Sequence, residues 1–256
     1  MSDLVLTRRD GPVARLTLND PGRANVLSDA MMVALGEALA AANADDEARV
    51  IVLAASGRIF CAGHDLGEIR STEDEVQHNG LFERCGVLMT AIGASPKPVI
   101  AEVAGAAVAA GCQLVASCDL AYAAETVRFA VSGIDLGLFC STPSVALSRM
   151  VGRKSALEML LTGRFVSAPE AAAIGLINRA VPAEDLARTV EEAALAIAGK
   201  PAEAIALGKA LFRKQIELSQ DEAYEAAAQA MARNMTFESA KARIDGFLHA
   251  RERKAS

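Results

Sequence analysis

Arg58-Ile59-Phe60-Cys61-Ala62-Gly63-His64-Asp65-Leu66 and Val103-Ala104-Gly105-Ala106-Ala107-Val108-Ala109-Ala110-Gly111-Cys112-Gln113-Leu114 are two versions of one local device. Each is a strand-like apolar run that breaks into small residues. At such a break the backbone N–H groups are left free to point at a ligand, and a larger side chain would hold the ligand away. Two N–H groups aimed at one oxygen form an oxyanion hole, which stabilises negative charge on a carbonyl.

Around these stretches the chain alternates strand and helix patterns. Leu4 to Thr7 and Val13 to Leu18 read as a hairpin around Asp10-Gly11. Ser28 is placed to cap a helix from Asp29 to about Ala42, with Met32, Leu35, Leu39 and Ala42 on one face. Val50 to Ala54 is an apolar run suited to a buried strand, and Val99 to Val103 reads as another buried strand. A helix is expected over Asn79 to Ala94, stopped by Pro96-Lys97-Pro98, and a small-residue helix over Ala109 to Ser117. Leu120 to Ala123 and Arg128 to Val131 read as two more strands. The repeating unit is strand, strand, helix, which gives an α/β core. After Val181 only helices are expected, over Glu184–Ala198, Ala202–Leu218, Gln220–Asn234 and from Glu238 to about Glu252. Their apolar faces must be covered by the core or by another chain. The expected division is residues 1–200 as the core with its site and 201–256 as a helical oligomerisation region.

Composition narrows the class. The chain has 256 residues, 52% of them hydrophobic, and no apolar run near ~18 residues, which argues against a membrane span. A net charge of −6 argues against nucleic acid as a partner. The dense basic cluster Arg251-Glu252-Arg253-Lys254 reads as a solvated tail. Five cysteines (Cys61, Cys85, Cys112, Cys118 and Cys140) and three histidines show no metal-ligand spacing, so no metal is expected and the thiols read as reduced and buried. Met1-Ser2-Asp3-Leu4-Val5-Leu6 shows neither a signal-peptide stretch nor a transit segment, so a cytoplasmic location is expected.

The combination of Phe60 to Leu66, Gly105 to Leu114, Cys118-Asp119-Leu120 and Phe129 to Gly137 resembles the crotonase superfamily, the enoyl-CoA hydratase/isomerase family. The resemblance extends to Asn25-Val26-Leu27 and to Ala168, Ala172, Gly175 and Leu176. The run Gly137-Leu138-Phe139-Cys140-Ser141-Thr142-Pro143 is similar to one animal mitochondrial subgroup of that superfamily and its bacterial relatives. The resemblance implies a crotonase (ClpP/crotonase) spiral of ββα units, assembled as a homotrimer or a dimer of trimers. It implies an acyl-CoA thioester as ligand, coenzyme A being part of the substrate and no other cofactor bound. The hole's N–H groups would come from His64 and Ala110. Arg23, Ala24, Val26 and Ala62 would hold the coenzyme A moiety, with Phe247 of a neighbouring subunit, beside Arg251 or Lys254, over its nucleotide end.

The departures from the family pattern concern proton transfer. Where a hydratase carries its two glutamates, this chain has Gln113 and Gly133. An amide orients water but does not take its proton at neutral pH. Asp135 is a candidate replacement if the segment is extended, since two residues on it would share Gly133's side. Ser141 lies near the position of a carboxylate nucleophile in another branch, with packing or capping as its plainer role. Asp65 and Asp119 read as structural, and Glu68 as a solvated residue of a first helical turn. The expectation is a thioester-binding family member, in fatty-acid or related acyl-CoA metabolism, whose ordinary hydratase activity is doubtful. The alternatives are a non-catalytic acyl-CoA-binding relative and a ClpP-type serine peptidase, for which no matching Ser, His and Asp set is present.

Overall fold

The computed structural model describes residues 3–255, with side chains described as far as Arg251. Lys254, read as a contact for the nucleotide end, therefore lies outside the described side chains. The first compact unit, Met1–Ile197, holds the strands, and the second, Ala198–Ser256, is helical.

In chain order the first unit runs β1 (Val5–Asp10), β2 (Val13–Leu18), α1 (Asp29–Ala44), β3 (Val50–Ala55), β4 (Ile59–Cys61), α2 (Leu66–Arg70), α3 (Glu75–Ala94), β5 (Val99–Val103) and β6 (Ala106–Val108). It continues through α4 (Ala110–Ser117), β7 (Leu120–Ala124), β8 (Arg128–Ala130), α5 (Ser141–Met150), α6 (Arg153–Thr162), β9 (Val166–Ser167), α7 (Ala168–Ala173), β10 (Arg179–Val181) and α8 (Leu186–Ala198). From β3 to β8 each turn of the chain sends its first strand to one sheet and its second to another, whereas β1 and β2 share a sheet. The six-stranded sheet has the order β1-β2-β3-β5-β7-β10, and the four-stranded sheet β4-β6-β8-β9. Apart from the antiparallel pairs β1/β2 and β8/β9, the pairing is parallel. This is a spiral of ββα turns stacked so that β4, β6 and β8 lie side by side.

The apolar run Val50-Ile51-Val52-Leu53 is buried throughout, as a parallel strand covered on both faces requires. The hairpin closes with Asp10 opposite Val13, and Gly11 takes the positive φ of 54° that the tight turn needs. Ser28 caps α1, its hydroxyl accepting from Met31 N at 3.2 Å. Several helix limits shift from the expectation. The third helix begins at Glu75, because Asp74 supplies a cap by accepting from Val76 N at 2.9 Å. Residues Ala183–Asp185 form a 3₁₀ turn after Pro182, so α8 starts at Leu186.

The second unit contains α9 (Ala202–Gln215), α10 (Gln220–Asn234) and α11 (Glu238–Ala255). A capping box between Ser219 and Glu222 starts α10. Neither α9 nor α10 has a fully buried residue. A groove of about 670 Å³ between them is lined by Leu211, Phe212, Ile216 and Tyr224 among others.

Candidate functional site

The second strands of the spiral bring the two small-residue breaks together. A Cβ placed on Gly63 would lie 2.9 Å from Ala109 Cβ and 3.4 Å from Ala110 N. On Gly111 it would lie 2.1 Å from Cys61 O, so α4 starts directly against β4 because residue 111 has no side chain. The loop after β4 is held by Leu27 N donating to Gly63 O at 2.8 Å and Ala62 N donating to Ala24 O at 3.1 Å. The loop after β6 is held by Ala109 N donating to Ala130 O at 2.8 Å. Ala109 adopts φ 49° and ψ −117°, a costly conformation for a residue with a side chain, and α4 begins at Ala110 rather than at Ala109. The N–H groups of His64 and Ala110 have no hydrogen-bond partner among the described residues, and Ala110 is at a helix start where none is supplied by the helix.

The segment expected to hold coenzyme A sits against the same loop. Residues Pro21–Arg23 form a 3₁₀ turn, followed by Ala24 and Asn25 at φ 54° and 51°. Asn25 enters the sequence reading only as part of the resemblance, without a role, yet its side chain fixes the segment. It accepts from Asp20 N at 2.8 Å and donates to Ser56 O at 2.9 Å and Ile59 O at 2.8 Å. The available signal was the amide's tolerance of left-handed backbone. Val26 N donates to Arg23 O at 3.3 Å, and the Arg23 guanidinium pairs with Asp65. Asp65 also caps α2, accepting from Gly67 N at 2.8 Å. Because Ala62 N–H is engaged by Ala24 O, the carbonyl is what Ala62 has left to offer a ligand. Glu68 corrects an expectation: its carboxylate accepts from Asp29 N at 2.9 Å, tying α2 to the start of α1. Asp119 accepts from Val99 N at 2.7 Å, a structural use.

The proton-handling positions are occupied differently from a glutamate pair. Gln113 is 4% exposed, and its Oε1 faces the Cys85 thiol at 3.9 Å. Gly133 N donates to Cys140 Sγ at 3.3 Å, and a Cβ on Gly133 would fall 2.6 Å from Leu138 O and 2.7 Å from Cys140 Sγ. No side chain fits there without moving the loop. Residues Ser132–Leu136 form a 3₁₀ turn and not the extended segment on which Asp135 was placed. Asp135 is exposed, and its carboxylate lies against Gly163, 2.9 Å from a Cβ placed there. Ser141 is exposed at the start of α5 and donates to Phe139 O at 3.3 Å, with no base beside it.

The His64 ring places Nδ1 3.4 Å from Leu27 O and packs edge-on to Phe82 at 5.3 Å. Its Nε2 is buried without a partner. Burial lowers its pKa, with the Leu27 carbonyl and Glu68 opposing, so the ring is neutral at neutral pH. Burial pushes Cys61 and Cys112 up to about 12 and Cys85 to about 11. In the second unit, Phe247 is exposed on α11 with Arg251 stacked over its ring at 5.9 Å. No cluster of three or more His, Cys, Asp and Glu side chains suited to a metal occurs among the described residues.

A family model for enoyl-CoA hydratase/isomerase matches residues 8–255. The chain belongs to the enoyl-CoA hydratase/isomerase family. It is 42% identical over 248 residues to enoyl-CoA hydratase domain-containing protein 3, mitochondrial, of Rattus norvegicus, covering 97% of this chain and 83% of that one. The crystal structure of an enoyl-CoA hydratase from Mycobacterium smegmatis superposes with a TM-score of 0.94 at 52% identity, covering 96% of each chain. The human enoyl Coenzyme A hydratase domain-containing protein 3 does so with a TM-score of 0.93 at 40% identity, covering 96% of this chain and 98% of that one. The ββα spiral is thus the crotonase fold of the enoyl-CoA hydratase/isomerase family. The cytoplasmic location expected from Met1 to Leu6 is corrected by the same relatives, since the rat, frog and human proteins are named mitochondrial.

Proposed function

We propose that the chain binds an acyl-CoA thioester and polarises its carbonyl in an oxyanion hole made by the N–H groups of His64 and Ala110. The observation that supports this is the close approach of the breaks after β4 and β6, with the N–H groups of His64 and Ala110 left unpartnered there. Donors of this kind stabilise the enolate of a thioester and contribute on the order of 10²–10³ each to rate. Arg23, Ala24, Val26 and Ala62 border the loop that would take the coenzyme A moiety, and Phe247 of a neighbouring subunit would close over its nucleotide end. The apolar side chains left exposed on α9 to α11 favour a homotrimer or a dimer of trimers.

Water addition to an enoyl-CoA needs a base for the water and an acid for the α-carbon. Neither is supplied by Gln113 and Gly133, while Asp135 is exposed beside Gly163 and Ser141 donates to Phe139 O. Losing one positioned acid or base costs about 10²–10⁴ in rate. This favours a second reading as well, in which the family member binds the thioester without turning it over. Calorimetry with a panel of acyl-CoA thioesters should give Kd values in the micromolar range, about −8 kcal/mol. Hydration of crotonyl-CoA, followed alongside, should run at least about 10³-fold below an ordinary hydratase. Absence of binding up to millimolar ligand would sink the thioester proposal. Rapid hydration would overturn the view that the acid/base pair is missing.

A further inference from the structure

The amide of Gln113 has a defined orientation. The Cys85 thiol, held protonated by its burial, is a donor, so the amide oxygen is the atom that faces it, at 3.9 Å. The amide nitrogen is left with two N–H donors and no partner among the described residues. It is not one of the sealed, unpartnered atoms of the chain either, although the residue as a whole is buried. Gln113 lies three residues after Ala110 on α4, so both project from one face of the helix, separated along its axis by about 4.5 Å. The two bonds from a thioester carbonyl carbon to its Cβ span less than that. Helix side chains lean towards the N-terminus, so the Gln113 side chain reaches back towards the Ala110 turn, and a thioester whose carbonyl oxygen sits on Ala110 N–H brings its Cβ towards the Gln113 amide.

We infer that Gln113 is a specificity-determining donor that selects thioesters carrying a neutral acceptor oxygen on Cβ, namely 3-oxoacyl-CoA, over enoyl and saturated acyl chains. This rests on the thioester reading above. An apolar Cβ leaves the buried N–H groups without the water or partner they need, and that loss is what discriminates. A carboxylate at Cβ is disfavoured. The recorded partner of Gln113 is a neutral thiol, and a buried anion met by one amide lacks the countercharge it requires.

The test is calorimetry with 3-oxobutanoyl-CoA, crotonyl-CoA and butanoyl-CoA on the intact protein and on Gln113→Leu. Wild type should bind the 3-oxo thioester about tenfold or more tightly than the other two, the size expected of one buried hydrogen bond. Gln113→Leu should lose that advantage and bind all three alike. Equal affinities in wild type would overturn the inference while leaving thioester binding standing. A preference that survives in Gln113→Leu would remove the assignment to Gln113. Binding of none of the three would overturn the thioester reading and this inference with it. Should Gln113→Leu fail to fold, Gln113→Met takes its place, and the same loss or survival of the preference decides.

Discussion

At the scale of single residues, the site is lined by groups that burial keeps neutral. Thiols whose pKa lies at about 11 or 12 carry almost no thiolate near neutrality, and the thiolate is the reactive form. All five cysteines are buried as well. A soluble thiol reagent at pH 8 should therefore label none of them within minutes in the folded protein and all five after denaturation in guanidinium. Fast labelling of the native protein would contradict this. His64 makes a pH prediction of definite sign. Its folded pKa is lowered, so below its unfolded value of about 6.5 the unfolded chain binds the proton first. Stability is full above that pH and is lost as pH falls through the window beneath it, because a proton on Nε2 would find no acceptor. The urea midpoint should drop between pH 7 and pH 5.5, and drop less in His64→Asn. An identical slope in the two proteins would remove His64 from the explanation.

Among elements, the turn at Ser132–Leu136 is the one whose packing decides the chemistry. Gly133→Ala should cost about 1–3 kcal/mol, since the added methyl meets a backbone oxygen and a sulfur at overpacked distance. A fall in urea midpoint with unchanged slope is the expected result, and no change would show that the loop yields freely. The same turn marks the limit of what sequence shows. The run Val50–Leu53 is legible because a strand buried on both faces must be apolar at every position, and Val99–Val103 because only the half-buried Glu102 interrupts such a run. The two small-residue breaks were legible because close backbone approach demands them. Asp135 was misplaced because a 3₁₀ turn set by Leu138 and Cys140 folding back on Gly133 has no periodicity of its own. The role of Asn25 is not legible in the sequence because two of its three bonds reach residues Ser56 and Ile59, far along the chain.

For the whole molecule, the exposed apolar side chains set the expectation. Phe212, Tyr224, Met231, Met235 and Phe247 are all more than half exposed on α9 to α11. Surface of this kind marks a contact with another chain. Light scattering at micromolar concentration should give a mass of three or six chains, and a monomer would contradict the assembly proposed. The packing at Gly133 also limits which substitutions the loop accepts in a single step. The space a side chain at position 133 would need is already taken by Leu138 and Cys140. A single substitution placing a glutamate there meets a steric barrier before it can confer any benefit. A carboxylate at position 133 therefore requires a separate change in the loop to come first, one that moves Leu138 and Cys140 away from Gly133.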